Sequence, residues 1–148
     1  NSLIRVGLTQ TKTETLTWVL AKDKKADIAL LMGITTQDKD GPEVSVATKP
    51  PKLGEHIWII GAHKGQERTV SECCLSHVFM TGRTQWHKTC ANTYYGNSGG
   101  GMFNDREEVI GIVHGHYLSH PRLKIIIPGS SHATALPHLQ SLITKALP

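Results

Sequence analysis

The sequence predicts an all-β chain closed by one short helix, and three observations carry that prediction. Val, Ile, Leu and Thr recur in short runs while aromatics are few, at two Phe, three Trp and three Tyr, a composition suited to pleated strands. Turn and breaker residues separate the runs, notably Asp38 to Pro42, Pro50-Pro51 with Gly54, and Pro128-Gly129. Only from Ala135 onward does the apolar spacing become helical.

The elements follow in order. Leu3 to Leu8 and Thr15 to Ala21 read as strands rich in apolar and β-branched residues, and Asp27-Ile28-Ala29-Leu30-Leu31 opens a third that runs to Met32. Consecutive prolines disfavour both helix and a central ladder position, so Pro50 to Gly54 is the predicted linker between units 1–49 and 55–148. Beyond it come His56 to Gly61, Thr69 to Met80 and Gly101 to Asn104. A short polar turn, Asn104-Asp105-Arg106, then leads to a returning strand, Val109 to His114, and a last strand is expected at Leu123 to Ile127. After Ser130-Ser131, the residues Leu136, Leu139, Leu142, Ile143 and Ala146 recur at helical spacing, which predicts an amphipathic C-terminal helix.

At 148 residues the chain can bury a real core as one compact unit. Sixteen Lys and Arg stand against twelve Asp and Glu, with lysines clustered at Lys22, Lys24 and Lys25 and at Lys49 and Lys52. Basic clusters can contact RNA phosphates, but a net charge of +4 is ordinary and no aromatic residue is interleaved to stack bases. Weak RNA binding is therefore only a secondary expectation. No run of about eighteen apolar residues occurs, so no membrane span is expected, and no signal peptide is visible. The odd cysteine count, Cys73, Cys74 and Cys90, argues against a disulfide framework and for a reducing compartment. Zinc held by these thiols with His77 or His87 lacks a paired Cys-x-x-Cys signature, and Cys90 reads as a buried apolar residue.

Chemistry concentrates in Thr93-Tyr94-Tyr95-Gly96-Asn97-Ser98-Gly99-Gly100-Gly101-Met102. A serine hydroxyl needs a base to take its proton and preset N–H donors to hold the oxyanion formed on attack at a carbonyl. Gly96 can turn its N–H toward the same point as that of Ser98, and Gly99 and Gly100 allow close approach. The alternative is an ordinary Asn-Ser-Gly turn. A buried carboxylate at Asp27 would supply what a histidine base needs behind it.

Asp-Ile-Ala-Leu-Leu, Gly-Asn-Ser-Gly-Gly and Val-Ile-Gly-Ile-Val, in that order, resemble the chymotrypsin-like serine protease superfamily over roughly residues 1 to 145. The resemblance implies a double β-barrel with an incomplete N-terminal barrel and a short C-terminal helix. It makes Asp27 the triad acid, Ser98 the nucleophile, and Gly96 with Ser98 the oxyanion hole, with no cofactor or metal. The family's catalytic histidine precedes the acid, yet the first histidine here is His56. Either the chain lacks an N-terminal part, the preferred expectation because Ser98, Gly96 and Asp27 are all present, or it is an inactive protease-fold binding module. His56 or His63 standing in as base has no support in the spacing.

Thr93, five residues before Ser98, and His114, sixteen after it, resemble the threonine and histidine with which picornavirus-like and potyvirus-like proteases and glutamyl endopeptidases bind Gln or Glu. A hydroxyl and an imidazole N–H can both donate to such a side chain. A one-residue shift would turn His114 to the other strand face, and His116 is a second candidate for the pocket. Otherwise both histidines are exposed edge residues. Together these features imply a serine endopeptidase cleaving a viral polyprotein after Gln or Glu, in host cytoplasm, with a cellular protease of the HtrA or trypsin type as the alternative.

Overall fold

The computed structural model describes residues 3–8, 13–33, 44–62, 68–91, 96–118 and 126–147, by backbone alone for 3–16 and 116–129. Strands β1 (Leu3–Leu8), β2 (Thr13–Asp23) and β3 (Ile28–Gly33) form an antiparallel sheet in that order. Six more close into a barrel: β4 (His56–Gly61), β5 (Thr69–Thr81), β6 (Thr84–Thr89), β7 (Gly101–Phe103), β8 (Val109–Leu118) and β9 (Ile126–Ala135). Around the barrel they run β4-β5-β6-β9-β8-β7. The predicted all-β class with a short C-terminal helix is observed; of the expected double barrel, one barrel is closed, and a three-stranded sheet stands where the incomplete N-terminal barrel was expected. Residues 45–47 already run beside β8, Ala47 N–H donating to Val109 O at 3.0 Å and Val109 N–H to Ser45 O at 2.8 Å.

Alternation along the strands builds the barrel core. Ile57 and Ile59 point inward from β4 and meet Met102, Ile110, Val113 and Ala133. Each buried Ile, Met or Val among them contributes about 2 kcal/mol of apolar burial. Helix α1 (Leu136–Ala146) follows β9 directly, with Pro137 in its first turn and Lys145 near its C-terminal end, where a cation suits the dipole. Its buried face is Leu136, Leu139 and Leu142, and it packs on β2 and β3 as well as on the barrel strands. Gln140 Nε2 donates to the carbonyls of Ala47 and Thr48 at 2.9 and 3.3 Å, tying helix to connecting segment.

Two features depart from expectation. Strand β6, Thr84-Gln85-Trp86-His87-Lys88-Thr89, is polar by composition yet buries Trp86, His87 and Thr89. Strand β9 runs through Pro128-Gly129 and Ser130-Ser131, which read as turn residues. Buried hydroxyls explain why: Ser131 Oγ donates to Ala91 O at 2.9 Å and Thr134 Oγ1 to Ala26 O at 2.6 Å, so these polar groups enter the interior satisfied. The cysteines correct a third expectation. Cys73 and Cys90 form a disulfide, Cys74 stays a free thiol, and Cys90 is exposed rather than buried.

Candidate active site

Ser98 stands exposed on a turn between β6 and β7 whose shape rests on glycine. Gly96 has φ +103°, a conformation that side chains rarely adopt, and no backbone hydrogen bond among the described residues takes the N–H of Gly96 or Ser98. At Gly100 the turn passes against the carbonyl of Ile60 on β4, so close that a Cβ would overlap it. The turn is laced to β8 on both sides: Gly99 N–H donates to Val113 O at 2.8 Å and Val113 N–H to Gly100 O at 2.9 Å. Asn97 is 1 % exposed and packs against Gly61. Glycine freedom therefore sets the shape and β8 fixes the place.

A bulge in β8 decides what His114 does. Val113 pairs with Ala133 and Gly115 with His132, leaving His114 as the extra residue. A bulge frees one residue from the ladder and re-aims its side chain. The His114 carbonyl accepts the Ser98 hydroxyl at 2.9 Å, while its Nδ1 lies 2.9 Å from Asp27 Oδ2. The ring packs with Trp86 and His132, each at a centroid distance of 5.1 Å. No imidazole among the described residues is hydrogen-bonded to Ser98 Oγ.

Asp27 ends the turn between β2 and β3 at φ +53°. That turn is organised by Asp23, whose carboxylate accepts the N–H groups of Lys25 and Ala26 at 2.9 and 3.1 Å; these bonds, that to Ala26 foremost, hold its pKa below the usual carboxylate value. The carbonyl of Ala26 is in turn held by Thr134 of the barrel. Asp27 was expected as a buried acid; its side chain is 69 % exposed, because it sits on the turn rather than inside the strand it precedes. A cavity of about 320 Å³ is lined by Lys25, Trp86 and the Thr81–Thr84 hairpin.

Thr93 and His63 lie outside the described residues, and His116 belongs to β8 with its side chain outside them. His56 opens β4, whose other end, Gly61, is the one near Asn97, so five residues of strand, about 16 Å, separate it from the Ser98 turn. Its ring is engaged by Asp105 at 2.5 Å and Glu72 at 2.9 Å, far from Ser98. Among the described residues no cluster of His, Cys, Asp and Glu could hold a metal ion. Sequence reasoning missed Trp86, His132 and Thr134. The clue to Trp86 was the Thr-Gly-Arg-Thr stretch before it, a hairpin turn that makes the next residues a strand.

Residues 2–112 match the sequence profile of the trypsin-like peptidase domain. The chain belongs to that family. By class it is therefore a serine endopeptidase. No curated protein matches it by sequence. Solved structures share the trypsin-like peptidase fold. The serine endoprotease from Yersinia pestis is 24 % identical with a TM-score of 0.72, over 99 % of this chain and 49 % of that one. The active form of the Rv3671c protease from M. tuberculosis is 16 % identical with a TM-score of 0.75, over 93 % and 61 %. The HtrA-type protease AlgW with a tripeptide is 21 % identical with a TM-score of 0.76, over 97 % and 47 %. This trypsin-like chain thus spans about half to three-fifths of those three proteases.

Proposed function

We propose that Ser98 attacks peptide carbonyls, that the N–H groups of Gly96 and Ser98 hold the oxyanion, and that Asp27 stands behind the histidine base. The carrying observation is that His114 brings Ser98 and Asp27 to one residue, the hydroxyl on its carbonyl and the carboxylate on its ring. The base takes the Ser98 proton as the Oγ–C bond forms and returns it to the leaving amine; water then repeats the cycle on the acyl-enzyme. No imidazole among the described residues is bonded to Ser98 Oγ, so the base in this reading is a histidine outside that set. For the substrate, the Thr93 and His114 pair favours Gln or Glu before the cut, as in viral polyprotein processing. Likeness to AlgW favours an HtrA-type cellular role equally.

Reaction with a fluorophosphonate probe, followed by peptide mapping, tests the assignment on this chain and on a version extended upstream through the next histidine. The expected outcome is labelling at Ser98 in the longer form and none in Ser98→Ala. Absence of labelling in both forms would leave a binding module that kept the fold. In the extended form, Thr93→Val and His114→Ala should change the preferred residue before the cut by roughly tenfold or more. Equal loss on all peptides would remove both from the pocket.

A further inference from the structure

Three sulfur atoms meet where β5 faces the end of β6. Cys73 and Cys74 are successive residues of β5, so they point to opposite faces, the first buried and the second half-buried. Cys90, exposed just beyond β6, is bonded to Cys73, with Cα atoms 5.7 Å apart. The free Cys74 Sγ lies only 3.4 Å from Cys90 Sγ, and the Cys74 N–H donates to that same sulfur at 3.2 Å. Cys90 therefore touches both of its possible partners.

We propose that this cluster is a thiol–disulfide exchange site in which Cys90 alternates between Cys73 and Cys74. The Cys74 thiol gives its proton to solvent and the thiolate attacks Cys90 Sγ. The Cys74–Cys90 bond forms as the Cys73–Cys90 bond breaks, and the electron pair leaves on Cys73 Sγ, which takes up a proton. One disulfide and one thiol stand on each side of the step, so no outside oxidant or reductant enters. The products suit their surroundings: the Cys74 carbonyl lies 3.2 Å from Cys73 Sγ, ready to accept the new S–H, and a buried thiol behaves as a small apolar group. Attack on Cys73 instead would join sequence neighbours, a geometry that ordinary disulfide spacing disfavours. Exchange moves the anchor of Cys90 by one residue along β5, from the inner to the outer face, at the start of the stretch that leads to Gly96 and Ser98.

Differential alkylation tests this on the chain purified without reductant. Samples are held near pH 8.5, where thiols ionise, and at about pH 5, where they do not. Free thiols are capped with N-ethylmaleimide, the disulfide is reduced and capped with iodoacetamide, and fragment spectra assign each label. The expected result near pH 8.5 is a mixture of molecules with maleimide on Cys74 and molecules with maleimide on Cys73, and iodoacetamide always on Cys90. Cys73→Ser should still form a disulfide, Cys74–Cys90, whereas Cys74→Ser should give one linkage at either pH. Maleimide confined to Cys74 in the wild-type chain would overturn the proposal, as would maleimide on all three cysteines.

Discussion

His87 places an imidazole in the barrel wall at 2 % exposure, with no hydrogen-bond partner for Nδ1 among the described residues. Burial disfavours the charged ring and lowers its pKa to about 4. The unfolded chain titrates near the ordinary value of 6.5, so as pH falls below that value the unfolded state takes up the proton first. Stability from keeping this ring neutral is complete above pH 6.5 and drains away as pH falls toward 4, by about 3 kcal/mol in total. Urea unfolding at successive pH values should show that slope in the wild-type chain, and His87→Leu should flatten it. An unchanged slope in the variant would assign the acid sensitivity to other groups. None of this was legible in Trp86-His87-Lys88, where nothing in the pattern separates a buried histidine from a solvated one.

Among the elements, β4 is fastened at its first residue. His56 Nδ1 meets Asp105 of the β7–β8 turn and Nε2 meets Glu72 of β5, while Trp58 Nε1 donates to Asp105 at 3.2 Å. The bond to Asp105 is the main cause that raises the His56 pKa, and it lowers that of Asp105. For His56 the stabilisation is whole below its ordinary 6.5 and fades as pH climbs through the raised folded value; for Asp105 it is whole above 3.8 and fades as pH falls through the lowered one. The link is therefore strongest in mildly acidic solution. Asp105→Asn should move the ring-proton NMR titration of His56 back toward 6.5, and an unmoved midpoint would refute the pairing. Elements with apolar alternation, such as His56 to Gly61, were legible because one face had to be buried. Strands β6 and β9 were not, since β6 buries hydroxyls and an imidazole beside Trp86, and the buried hydroxyls of β9 find partners 40 and 108 residues away. The Ser98 turn was legible through its glycines. The disulfide was not, because an odd count of cysteines says nothing of which two meet.

Across the whole molecule, the sheet β1–β3 and the barrel meet at the site, and Thr134 is the buried bond between them. Thr134→Val keeps the shape but strands the Ala26 carbonyl, at a cost of about 1–3 kcal/mol. Because Asp27 is the next residue, the variant of an active, extended form should also lose reactivity at Ser98, by more than the fraction of unfolded chain accounts for. A drop in stability alone, with probe reactivity intact, would make Thr134 purely structural.

The lacing of the Ser98 turn to β8 at Val113, and of Ser98 and Asp27 to the adjoining bulge at His114, has a consequence for the cell. Ser98, Asp27 and the barrel wall share two consecutive residues, so a copy whose β8 peels away loses the arrangement that the proposed chemistry needs. On the proposed function, such a copy is idle and not a loose cutter of its neighbours.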